Sequence, residues 1–177
     1  MNILDVAKNS VVAGASLIEI SLVTDANGWL TLKICDNGCG MTEETLKRVT
    51  DPFYTTRTTR KVGLGLPLLK LAAEQTGGTL RIQSSVEKGK SGTILEATFD
   101  TKSIDCMPIG DIISTICVLI AGSPKIDFDF SDISPTRSVS LKTRELREVL
   151  GTQISLAEPE IQQWIQEYLK EQYHSMF

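Results

Sequence analysis

"DNGCGM", residues 36–41, sets a carboxylate, an amide and two glycines between two recognisable elements. Before it, "WLTLKI" (29–34) alternates and reads as a strand with Leu30, Leu32 and Ile34 on the buried face. After it, "TEETLKRVT" reads as a short helix, with Thr42 suited to the N-cap and Glu43 and Glu44 in the first turn. Upstream, "LIEISLV" (17–23) sets Ile18, Ile20 and Leu22 against Leu17, Glu19 and Ser21, and "ANG" supplies a hairpin turn. Before that, "NILDVAKNSVVA" (2–13) places Ile3, Val6, Ala7 and Ser10 on one helical face, with Gly14 suited to a C-cap.

Downstream, "TDPFYTTRTTRKVG" carries four Thr after its Pro, three basic residues and little periodicity, so it reads as a loop long enough for a functional role. "LGLPLLKLAAEQT" is a helix whose Pro67 must fall in its first turn, and Gly77 and Gly78 end it. "TLRIQSSV", the turn "EKGKSG" and "TILEATFD" make a second hairpin. The order helix, hairpin, helix, loop, helix, hairpin predicts an α+β fold. Specifically, it predicts a two-layer α/β sandwich with helices packed on one mixed, mostly antiparallel sheet. The texture changes after residue 100, so the expected division is 1–100 as a first domain and 101–177 as a small C-terminal α/β extension. In the latter, "DIISTICVLIAG" is helical, "KIDFDFS" and "SVSLKT" are strands, and "RELREVL" and "PEIQQWIQEYLKEQY" are helices. Trp164, Ile165 and Leu169 form an apolar stripe expected to pack in the core.

The chain has 177 residues, 41% hydrophobic and 23% charged, the composition of a globular protein. No apolar run approaches the roughly 20 residues that span a bilayer, and the amino terminus lacks the basic start of a signal peptide. The net charge of −4 disfavours nucleic acid as a partner. With one His and four cysteines that form no CxxC pair, a zinc site is not expected. The cysteines read as reduced thiols of a cytoplasmic protein.

Four features suggest chemistry, and each has a plain structural alternative. Asp5 and Asn9 share a face of the first helix, where an amide oxygen suits Mg²⁺ and a carboxylate could take a proton from a group attacking a phosphate; an exposed polar face would look the same. Asp36 can accept from an exocyclic amine such as adenine N6, while Gly38 and Gly40 let the backbone approach a flat ring; a strand-to-helix turn alone would also use them. In "RKVGLGLP", Gly63 and Gly65 precede a helix start, an anion site, with Arg57, Arg60 and Lys61 just upstream; incidental basic loop residues would read alike. Thr93 starts a strand from which it could reach a base near Asp36, although Thr at a strand start is unremarkable.

Taken in order, these parts resemble the GHKL (Bergerat-fold) superfamily of ATP-binding domains. Its members include histidine kinases, mitochondrial-type protein kinases, anti-sigma serine kinases, type II topoisomerases, the mismatch-repair ATPase MutL and a heat-shock chaperone. "NSVVAGA" and "DNGCGM", ending in Met41, look most like MutL. "DPFYTTR…VGLGLPLLKLAAEQTGGTL", with Phe53, Leu64 and Leu66, looks more like the kinases. The resemblance covers residues 1 to about 100. It implies that Asp36 reads the adenine, Asn9 holds Mg²⁺, Gly63 and Gly65 contact phosphates, Thr93 supports the base site, and residues from about 50 to 62 form an ATP lid. The general base is Glu in MutL and the serine kinases, whereas here it is Asp5, one methylene shorter. Binding of ATP and Mg²⁺ is therefore the expectation, and turnover depends on the reach of Asp5. The implied functions are a stand-alone kinase module that phosphorylates a protein partner in trans, an ATP-driven conformational switch or a non-hydrolysing nucleotide sensor. A homodimer is a further expected partner state, and a membrane is not an expected partner.

Overall fold

The structure, a computed structural model, describes residues 3–51, 64–151 and 154–175. Helix α1 (Ile3–Val12) buries Ile3, Val6, Ala7 and Ser10, the face that its periodicity predicts. It ends where the Gly14 N–H donates to the Val11 carbonyl with φ at +71°. Strands β1 (Leu17–Thr24) and β2 (Trp29–Asp36) form an antiparallel hairpin that buries Ile18, Ile20 and Leu22 against Leu30, Leu32 and Ile34. Helix α2 (Glu43–Arg48) is capped by the Thr42 hydroxyl, which accepts from the Thr45 N–H. Helix α3 (Gly65–Gln75), with Pro67 in its first turn, leads to the second hairpin, β3 (Leu80–Ser85) and β4 (Gly92–Asp100).

The chain continues with α4 (Ile112–Gly122), β5 (Asp127–Ser134), β6 (Arg137–Lys142), α5 (Thr143–Leu150) and α6 (Pro159–His174). The six strands of the described residues form one sheet in the order β3-β4-β2-β1-β5-β6. Among the described residues, the β1–β5 pairing is parallel and the other four pairings are antiparallel. This is the mixed, mostly antiparallel sheet expected from the sequence. Residues 101–177 thus add two strands to the edge that β1 would otherwise present.

Apolar residues of α1, α3, α4 and α6 pack on one side of the sheet, against the inward row from β1, β2, β4, β5 and β6. On the other side, Glu19, Lys33 and Ile94 are exposed, which makes the architecture two-layered. Within the stripe on α6, Ile165 and Leu169 are fully buried, but Trp164 is 47% exposed and stacks on Tyr168 with ring centroids 5.1 Å apart. The expectation for Trp164 fails because residues adjacent in a helix sequence do not share a face.

Two polar contacts tie α6 to the added strands. Asp132, on the inward side of β5 and 2% exposed, accepts from Arg137 Nη2 (2.9 Å) and from the Tyr173 hydroxyl (2.7 Å). Burial, and then the bond to Asp132, push the Tyr173 hydroxyl well above the usual phenol range, so it stays a donor. Along the outer edge of β6, the Ser140 N–H donates to Gln172 Oε1 (2.9 Å) and Gln172 Nε2 donates to the Ser140 carbonyl (3.0 Å). Arg137→Met would strand the buried carboxylate and should cost about 3 kcal/mol, whereas Tyr173→Phe should cost about 1–2 kcal/mol. Chemical denaturation measures both; equal losses would mean that the charge of Arg137 is not what holds Asp132.

Candidate functional site

The alternation that turns Leu30, Leu32 and Ile34 inward also turns Asp36 toward the helices, at the end of β2. Its carboxylate meets α1. Asp36 Oδ2 accepts from the Ser10 hydroxyl at 2.6 Å, and Oδ1 accepts from the Gly38 N–H at 3.0 Å. Ser10 is 5% exposed and follows Asn9 directly, so the amide-bearing turn of α1 abuts the Asp36 turn. Ser10 escapes a reading by motif, although a polar residue in a buried stripe is itself a signal.

The rest of the turn is anchored residue by residue. Asn37 faces the start of β1: its Oδ1 accepts from the N–H groups of Ser16 and Leu17, each at 2.9 Å, and its Nδ2 donates to Ser16 Oγ. The Cys39 N–H donates to the Ala13 carbonyl at 2.9 Å. The Met41 N–H donates to Ser84 Oγ on β3 at 2.8 Å. Gly40 has φ at +71°, and a Cβ there would lie 1.9 Å from the Ser85 carbonyl oxygen. Backbone from two hairpins crosses at that point, and only a hydrogen fits.

The other motif arrives at the opposite end of α1. A Cβ built on Gly65 would lie 3.7 Å from Asp5 Cβ, so the first residue of α3 rests on the Asp5 turn. Leu64, the N-cap residue of α3, makes no side-chain cap bond. Pro67 has no N–H, which leaves the amides of Gly65 and Leu66 as donors in that first turn. Leu66 packs against the core, and Leu64 is half exposed. From Asp5 to Ala13, the residue just past its end, α1 spans about 12 Å at ~1.5 Å per residue. It carries the GLGL contact at one end and the DNGCGM contacts at the other. Thr93 lies directly opposite Asp36 in the β2–β4 register. The structure therefore gathers Asp5, Asn9, Asp36, Gly38, Gly40, Met41, Gly65 and Thr93 around one helix and three strand ends. Phe53, Arg57, Arg60, Lys61 and Gly63 lie outside the described residues.

Among the described residues, no group of three His, Cys, Asp or Glu side chains is placed to hold a metal ion. No described helix is long and apolar enough to cross a membrane.

The model of the histidine kinase-, DNA gyrase B- and HSP90-like ATPases matches residues 2–103. Sporulation kinase B of Bacillus subtilis (strain 168) is 33% identical over 95 residues, which is 52% of this chain and 22% of that protein. Sporulation kinase E of the same organism is 36% identical over 89 residues, 50% of this chain and 11% of that protein. The chain thus spans less than a quarter of either curated relative. Among solved structures, the Aquifex aeolicus MutL ATPase domain complexed with ADP superposes with a TM-score of 0.51 at 17% identity. That match covers 85% of this chain and 67% of the other, and it shows a shared fold.

The two glycines differ in what the fold asks of them. Gly40→Ala should cost about 3 kcal/mol or prevent folding, because main chain must move. Gly65→Ala meets ordinary contact distances and should change stability by less than about 1 kcal/mol. Thermal melts of the two variants check this, and a large loss for Gly65→Ala would give that glycine a structural role.

Proposed function

Because the chain belongs to the histidine kinase-, DNA gyrase B- and HSP90-like ATPase family, we propose that its site binds Mg-ATP and that it works in the cytoplasm as a kinase module phosphorylating a protein partner in trans. The observation that carries this reading is the meeting of two distant glycine turns on α1, one through Ser10–Asp36 and one through Asp5–Gly65. The base would lie against the Gly38–Gly40 backbone, with its exocyclic amine on Asp36 and Thr93 beside it. The phosphates would lie toward the first turn of α3, where the amides of Gly65 and Leu66 and the positive end of the helix suit an anion. Arg57, Arg60 and Lys61 would add charge there, in a lid that also includes Phe53 and Gly63. The binding unit is residues 1–100, with 101–177 completing the sheet.

The donor chemistry fits Mg²⁺. Asn9 offers a neutral oxygen on the same turn as Ser10, and Mg²⁺ takes one or two protein oxygens and completes its shell with phosphate oxygens and water. When bound, the ion would neutralise phosphate charge. Asp5, at the Gly65 end of α1, would be the residue that accepts a proton from an attacking group.

A second reading, an ATP-driven conformational switch, is favoured by one observation. Helix α1 packs on α4, and β5 is hydrogen-bonded to β1, so a shift of α1 would reach the C-terminal elements directly.

Incubation with γ-labelled ATP and a cell extract should transfer label to a protein partner. Phosphate release by the purified protein alone would favour the switch, and absence of nucleotide binding would remove both readings. Asn9→Ala should lower Mg-ATP affinity at least about tenfold with the melting temperature retained. Calorimetric titration measures this, and an unchanged constant would take Asn9 out of the site.

A further inference from the structure

Three side chains form a row across neighbouring strands: Ser84 of β3 lies opposite Thr93 of β4, and Thr93 lies opposite Asp36 of β2. All three are two residues from inward apolar positions (Ile82, Leu95 and Ile34), so the row faces the helices at the strand ends. The hydroxyl of Ser84 is fully engaged. It donates to the Gly92 carbonyl at 2.9 Å, accepts the Met41 N–H at 2.8 Å, and lies 2.9 Å from Thr93 Oγ1. A serine hydroxyl has one hydrogen and two lone pairs. A carbonyl oxygen can only accept, so the single hydrogen of Ser84 goes to Gly92 and one lone pair goes to Met41. The bond to Thr93 must then be donated by Thr93.

That assignment spends the only hydrogen of Thr93 on Ser84 and leaves lone pairs for whatever approaches it. Asp36 next to it also presents lone pairs, since Ser10 and Gly38 each occupy only one site on its carboxylate. We infer that Ser84 is a positioning residue that holds the Thr93 hydroxyl as an acceptor, so that Thr93 and Asp36 together form an acceptor-only wall selecting a 6-amino purine over a 6-oxo purine. This rests on the reading of the site as a nucleotide pocket. An exocyclic amine brings two hydrogens to such a wall, whereas a 6-oxo group sets a third acceptor against two. The amide of Met41 links the selection to the turn itself: the Ser84 hydroxyl that fixes the end of "DNGCGM" also fixes the proton of Thr93.

ATP and inosine triphosphate, which differ only at the purine 6-position and the N1 proton, are the probes. Calorimetric titration of the unmodified protein should show a preference for ATP. In Ser84→Ala, Thr93 is free to turn its hydrogen toward a 6-oxo oxygen, and the ATP-to-ITP affinity ratio should fall roughly tenfold. Ser84→Thr keeps the hydroxyl and should restore the ratio. If the melting curve of Ser84→Ala shows that it does not fold, Ser84→Cys, a weak acceptor of similar size, should shift the ratio in the same direction. A merely structural role would weaken both nucleotides alike. An unchanged ratio in a folded variant, or equal binding of both probes by the unmodified protein, overturns the inference while nucleotide binding stands. Binding of neither probe overturns the pocket reading itself.

Discussion

The arrangement depends on one short hydrogen bond, 2.6 Å from the Ser10 hydroxyl to the Asp36 carboxylate. It joins the two layers at the point where each contributes its polar residues: α1 brings Asn9 and Ser10, and β2 brings Asp36. Such a bond to a charged acceptor is worth about 1.5–3 kcal/mol, a large share of a typical domain's stability. Asp36 is thus held from the helix side and from its own turn through Gly38, with acceptor capacity remaining. A carboxylate left at a strand end without these donors would be free to rotate out to water. Held here, it has one orientation.

Much of this architecture is legible in local pattern. The inward rows of β1 and β2 are strict period-two alternation, and α1 shows its buried face because Ile3, Val6, Ala7 and Ser10 recur at helical spacing. The parallel pairing of β1 with β5 is not legible. Leu17 and Asp127 are partners across more than a hundred residues, and the local sequence of each constrains only its own pleat. Trp164 shows the limit of stripe counting, since one residue's offset in a helix turned an expected core position into an exposed one.

The site divides similarly. Asp5, Asn9, Asp36 and Gly65 stand out because their motifs follow one another in an order that resembles a known family, and the fold brings them to one helix. Ser10 and Ser84 do not stand out, because serine is common and each is bonded to the "DNGCGM" turn from another element, Ser10 to Asp36 and Ser84 to Met41. Asn37 illustrates the opposite error available to a motif reader. It sits beside Asp36 and has a ligand's chemistry, yet both ends of its amide are bonded to Ser16 and Leu17, so it is a brace for the strand start.

The amide of Gln172 acts as a counterfeit strand residue. By occupying both the N–H and the C=O of Ser140, it satisfies the middle of β6 as a seventh strand would. An incoming β-segment finds no template at that position, so the flank is blunted there. The C-terminal helix is therefore also a guard against edge-to-edge aggregation, and it performs that service with a neutral side chain rather than the charge or proline more often used.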